Sequence, residues 1–159
     1  MDRNECVRID TELEALFIKK QRIIEFVNNR YSWEEEKRLK RIELETIEAR
    51  IKDLESIYAE HRWNRAFLVR NTNGHVHKTT HCNTCFSTTV FSWITGYSGA
   101  SEKEIVAAAG CDACTVCYPT APVELKIPRT MFSKEEEEII QEREEKKAKK
   151  TAKLAKQKA

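Results

Sequence analysis

Cys82-Asn83-Thr84-Cys85, answered after 28 residues by Cys114-Thr115-Val116-Cys117, is the stretch on which the fold of this chain turns. Zinc takes four nitrogen or sulfur donors in a tetrahedron, and a Cys-x-x-Cys turn brings two thiolates to one ion while nearby backbone amides donate to the sulfurs. Two such turns complete one site. The spacing therefore predicts a zinc ion held by Cys82, Cys85, Cys114 and Cys117. Unrelated buried or surface cysteines are the plain alternative. Two pairs flanking a segment long enough for a strand and a helix argue against it.

Histidines complicate the ligand set. His75, His77 and His81 all lie within seven residues of Cys82. His77, five positions before Cys82, is an alternative ligand in place of Cys85 or Cys82, and His81 is a less favoured one. Cys111 stands three residues before Cys114, close enough to compete for the ion, but such a leftover is more often a small buried side chain. Cys6 has no assigned role.

Around the cysteines the pattern is that of a small sheet with one helix. Ala66-Phe-Leu-Val69 is a short apolar run, Asn71-Thr-Asn-Gly74 has the composition of a turn, and His75-Val-His77 offers a partner strand. Thr88 to Thr95, with Val90, Phe91, Trp93 and Ile94, has the β-branched and aromatic content of a further strand. Ser101-Glu-Lys-Glu104 is a capping box that starts a short helix ending at Gly110. A β-β-β-α unit of this size has few large apolar groups, and a bound ion would staple it.

N-terminal to this unit, residues from about 10 to 62 read as two amphipathic helices. Ile9, Leu13, Leu16, Phe17, Ile23, Ile24 and Val27 form one stripe. A second capping box, Ser32-Trp-Glu-Glu35, predicts a helix starting at Trp33, on which Leu44, Ile47, Ile51, Leu54 and Tyr58 recur at coiled-coil spacing. The two can fold back as an αα-hairpin, or pair with a second chain as a homodimer. C-terminal to the unit, Pro119, Pro122 and Pro128 mark residues 118–130 as a linker. Ser133-Lys-Glu-Glu136 then opens a last, almost wholly charged helix supported by pairs such as Glu142 with Lys146 and Glu145 with Lys149. The predicted class is α+β: a helical arm over residues 1–62, a zinc-binding module over 63–124 and a charged tail over 125–159.

Composition narrows the function classes. With 34% charged and 8% aromatic residues in 159, the chain cannot fill one large core. No run of about 18 apolar residues predicts a membrane span. The start, MDRNECVRID, is polar where a signal peptide needs a basic start and an apolar stretch. A cytoplasmic location is the expectation, and there six cysteines stay reduced and available to a metal.

Two resemblances attach to these residues. The order of His77, Cys82, Trp93, the helix from Ser101 to Gly110 and Cys114-Thr-Val-Cys117-Tyr-Pro119 is similar to the zinc module of bacterial DNA-alkylation-repair methyltransferases, with the first ligand pair spaced differently. Gly74-His-Val-His77, Cys82-Asn-Thr-Cys85 and Cys114-Thr-Val-Cys117-Tyr-Pro-Thr-Ala-Pro-Val123 more closely resemble a family of small zinc-binding proteins encoded by phages of actinobacteria, over residues 63–124. The second resemblance implies expression in a bacterial host's cytoplasm and supplies no activity.

Three functions remain in view. A non-enzymatic adaptor would bind a host protein, or would meet nucleic acid phosphates through Arg62, Arg65, Arg70, Lys78 and Trp63 on the module and Lys146, Lys147, Lys149 and Lys150 in the tail. The net charge of +2 argues neither for nor against an acidic partner, while the acidic run Glu135 to Glu138 would repel phosphate or fold back on the lysines. An enzyme would need either a nuclease centre on His75, His77 and His81 or alkyl transfer to a zinc thiolate. Four cysteines closing around the ion leave no open position for water, which disfavours catalysis.

Overall fold

A computed structural model describes residues 1–70, 75–122 and 134–158. The expected turn at Asn71 to Gly74, the linker from residue 123 onward and the capping residue Ser133 lie outside the described residues. The chain is α+β, with a pair of N-terminal helices, a small three-stranded antiparallel sheet with its own short helix, and a C-terminal helix. It divides into two compact units, Met1–Trp63 and Asn64–Ala159.

In the first unit, α1 (Arg3–Asn28) and α2 (Glu34–His61) pack as an antiparallel hairpin. Ile9, Leu13 and Ile23 from α1 and Ile47 and Leu54 from α2 are its buried apolar residues, part of the expected stripes. Bridges between the helices run Glu12 to Arg50, Lys19 to Glu43 and Lys20 to Glu48. Arg50 grips Glu12 through two nitrogens, at 2.7 and 3.1 Å. Lys19 and Lys40 together hold the Glu43 carboxyl down to about 2. Such exposed pairs set the register of the two helices more than they stabilise them.

Two helix starts differ from the sequence reading. Helix α1 begins at Arg3, well before residue 10, because the Asp2 carboxylate accepts from the Glu5 amide and caps it. The capping box at Ser32 does not form. Asn29 instead turns the chain, its side chain accepting from the Tyr31 amide and its carbonyl from the Ser32 amide. The Glu35 carboxylate is taken by Arg38 at 3.0 and 2.8 Å. Extended Trp33 is left at the N-cap with no side-chain bond.

Helix α2 ends at Arg62, which adopts the left-handed conformation (φ 48°) and donates to the Tyr58 carbonyl. That turn delivers Trp63 back onto the hairpin. Its indole nitrogen donates to Asp10 at 2.7 Å and its ring meets Tyr58 edge-on at 4.9 Å. Asp10 is fully buried, so this bond satisfies a carboxylate that would otherwise be costly to desolvate.

The second unit carries the sheet, ordered β2-β1-β3: β1 (Phe67–Val69), β2 (Val76–His77) and β3 (Phe91–Trp93). Phe67 stands opposite His77 on one side and Trp93 on the other. The two-residue period of a strand then sorts the faces. Leu68 and Val76 point into a core with Ile105, Ala108 and Ala109 of α3 (Glu102–Ala109), completed by Ile94, Ala113 and Tyr118. Phe67, Phe91, Trp93 and His77 share the other face, with Phe67 5.2 Å from Trp93 and His77 6.2 Å from Phe91 between ring centroids.

Both bonds of the Ser101–Glu104 capping box are present. Gly110 ends α3 at φ 58°, where a side chain would be strained. Helix α4 (Lys134–Lys158) is the charged C-terminal helix, with Lys146 bridging Glu142 at 3.4 Å and Lys149 bridging Glu145 at 3.6 Å.

Candidate metal centre

Three separate segments build the centre. His77 closes β2, whose partner β1 holds it through the sheet register. The loop after β2 supplies Cys82 and Cys85, joined in a tight turn by the Cys85 amide donating to the Cys82 carbonyl at 2.9 Å. Cys114 and Cys117 follow the 3-10 turn at Gly110–Asp112. That segment is laid against β2 by a parallel bridge between Val76 and Ala113, and the Cys114 amide donates to the Val76 carbonyl at 2.9 Å. A bond from the Tyr118 amide to the Cys114 carbonyl then curls the chain so that Cys117 returns toward His77.

His77, Cys82, Cys114 and Cys117 converge. One donor atom from each lies within 4.8 Å of all the others. The sulfurs of Cys82 and Cys114 are 4.0 Å apart, and His77 Nδ1 is 3.6 Å from the sulfur of Cys117. Bonds of about 2.3 Å to sulfur and about 2.0–2.1 Å to nitrogen make the edges of a zinc tetrahedron roughly 3.5–3.8 Å. The observed separations are therefore those of donors ready to close on one ion. His77, Cys82 and Cys114 are buried, which excludes water from most of the site.

Local chemistry suits a cation. Burial lowers the His77 pKa, with the neighbouring His75 adding to the effect, so the ring is neutral and a lone pair is available. Burial pushes the Cys117 thiol up to about 12, against a backbone bond from Lys78, and the charges of Cys114 and Cys82 act in the same direction as burial. Cys82 is also penalised by burial, the largest single effect, but bonds from the Thr84 hydroxyl, at 3.2 Å, the Thr84 amide and the Cys117 and Cys114 thiols together outweigh it and lower its pKa. Thiols packed this closely repel one another as thiolates, and a divalent ion removes that repulsion. The buried cluster of one histidine and three cysteines can hold a metal ion.

Cys85, expected among the ligands, lies outside this set of four. It is half-buried, and its sulfur rests beside the His77 ring, 3.6 Å from Nε2 and 3.8 Å from Nδ1. His75 and His77 stack on the same strand face at 6.4 Å, but His75 is exposed. His81 is exposed too, bonded to the Thr80 and Thr79 hydroxyls. Cys111 is half-buried and stands apart from the cluster, while Cys6 is buried in the helical hairpin. All six cysteines are free thiols.

The basic residues expected to face a nucleic acid are placed unevenly. Arg65 is not on the surface: it is buried, with its guanidinium over the Trp93 ring at 4.6 Å, because stacking on an aromatic face suits a weakly hydrated planar cation. Trp63 belongs to the helical unit and is committed to Asp10. Lys78 pairs with Glu102, Lys146 with Glu142 and Lys149 with Glu145. Arg62, Arg70, Lys147 and Lys150 are exposed.

The sequence reading passed over the Thr84 hydroxyl. It touches the sulfurs of both Cys82, at 3.2 Å, and Cys114, at 3.8 Å, so it belongs to the centre. A threonine inside a Cys-x-x-Cys turn is the only signal that could have found it. Among the described residues, no helix is long and apolar enough to cross a membrane. Comparison with protein-family models, with curated proteins and with solved structures finds no match to this chain.

Proposed function

We propose that this chain is a zinc-binding protein whose ion is structural, held by His77 through Nδ1 and by the thiolates of Cys82, Cys114 and Cys117. The convergence of these four donors within 4.8 Å, from segments up to 40 residues apart, carries the reading. Three soft sulfurs and one imidazole nitrogen in a buried tetrahedron select zinc over magnesium or calcium, which take oxygen donors. Elemental analysis of purified protein tests it: one zinc per chain is expected, and protein that lacks stoichiometric zinc and melts unchanged in strong chelator overturns it.

The ion's role is to staple the sheet to the turn carrying Cys114 and Cys117. Four protein donors leave it no seat for a substrate water, so the protein acts by binding and not by catalysis. We read it as an adaptor of a phage-infected bacterial cytoplasm, in line with the resemblance of residues 63–124 to small phage-encoded zinc proteins.

A protein partner is favoured over nucleic acid. Lys78, Lys146 and Lys149 are already paired with carboxylates, and Arg65 is buried on Trp93. Filter binding to duplex DNA over a salt series separates the two: weak, flat retention fits a protein partner, and a steep salt slope fits phosphate neutralisation.

A further inference from the structure

One further thiol, that of Cys85, stands beside the four donors that converge. Cys82, Cys114 and Cys117 are gathered by three different constraints: the tight turn at Cys82, the bond from the Cys114 amide to Val76, and the return from Cys114 to Tyr118. The fourth donor is His77. His77 Nδ1 meets the sulfur of Cys117 at 3.6 Å, close to a tetrahedral edge. The sulfur of Cys85 is 3.8 Å from that same nitrogen and 3.6 Å from Nε2. Because it reaches both ring nitrogens nearly equally, it stands beside the imidazole and not at the end of a single N–H bond.

We propose that His77 and Cys85 compete for one coordination position, so that the zinc centre exists as two interconverting forms, one with three thiolates and an imidazole and one with four thiolates. The inference rests on the zinc reading above and specifies how that site behaves. In the exchange, the zinc–nitrogen bond to His77 breaks and a zinc–sulfur bond to Cys85 forms. The Cys85 proton leaves to solvent as its sulfur becomes the fourth thiolate, and His77 stays a neutral imidazole beside the ion. The four-thiolate form therefore carries one more negative charge than the form with three thiolates and an imidazole. In the His-bound form Cys85 is a half-buried thiol off the metal; in the Cys-bound form it is a ligand.

Cobalt substitution in the full-length protein tests this, because the charge-transfer intensity of bound Co(II) rises with the number of thiolate ligands. The variants are Cys85→Ser and His77→Asn, with Cys114→Ser as the control that removes an uncontested ligand. Both single variants should bind one cobalt per chain, Cys85→Ser with a three-thiolate spectrum and His77→Asn with a four-thiolate spectrum, and the wild type should fall between them. If each form holds at least about a tenth of the population, losing either rival weakens metal affinity by no more than about tenfold. Cys114→Ser should weaken it by far more.

A Cys85→Ser protein identical to wild type in spectrum and affinity removes Cys85 from the metal and overturns the proposal. So does a His77→Asn protein identical to wild type, which removes His77. Either result leaves the zinc reading standing. No stoichiometric metal in any of the four proteins overturns both.

Discussion

The two units of this chain reach stability by opposite means. The hairpin of α1 and α2 buries Ile9, Leu13, Ile23, Ile47 and Leu54 along long helices that satisfy their own backbone hydrogen bonds. The sheet unit has strands of two or three residues and a core made largely of alanine, with Leu68, Val76, Ile94, Ile105 and Tyr118 as its larger members. Strands that short, over a core that small, do not hold together by apolar burial alone. The difference teaches where each unit keeps its free energy: one spreads it along a repetitive interface, and the other, on the zinc reading proposed above, concentrates it in a handful of donors.

Metal removal should strain that contrast most. The apparent binding free energy of a structural zinc is on the order of 10 kcal/mol or more. Stripping it should abolish the dispersed amide signals of residues 64–122 while the helical circular dichroism from α1 and α2 persists. Equal loss of both signals would show that the hairpin depends on the ion as well. A core cavity should give the reverse pattern. Leu54 is 1% exposed, so Leu54→Ala should cost the hairpin about 2–5 kcal/mol, read as a lower melting temperature of the helical signal with the zinc content unchanged.

Smaller effects sharpen the same comparison. Trp63→Phe keeps an aromatic ring near Tyr58 but takes the donor from buried Asp10, at a cost of about 1–3 kcal/mol to the hairpin. In the sheet unit, Ser101→Ala removes the cap of α3 and should cost about 1 kcal/mol. A chelator titration would register that loss as earlier zinc release if the helix and the centre are one cooperative unit.

Acid should separate the units by mechanism. The Cys117 thiol, raised to about 12 by burial, carries its proton when no ion is bound, so zinc binding there releases a proton and its apparent affinity falls as pH falls. The hairpin responds through Glu43, whose folded pKa lies near 2, below its unfolded value near 4.5. Its contribution is present above about 4.5 and is lost as pH drops toward 2. Zinc release on acidification should therefore precede any change in the helices. Helices that melt first would break the distinction.

Much of the fold was legible in the residues themselves. The capping box at Ser101 and the stop at Gly110 are local features, and both form because every partner lies within a few positions along the chain. The box at Ser32 was equally legible and failed. Asn29 offered the chain a competing turn and Arg38 offered Glu35 a competing partner, and a short motif cannot see either. The early start of α1 turned on Asp2, a cap with no apolar stripe behind it to announce the helix.

For the centre, sequence by itself determined the candidate donors: two Cys-x-x-Cys turns and a histidine five residues before the first offer several ligands to one ion. Which of them meet was decided by the tertiary structure. The pairing of β2 with β1 and the bond from Cys114 to the Val76 carbonyl carry His77 to Cys117 across 40 residues of chain, and they set Cys85 beside the imidazole. Spacing constrains only neighbours in sequence, whereas coordination is a matter of distances of a few ångströms between segments that the sheet alone brings together.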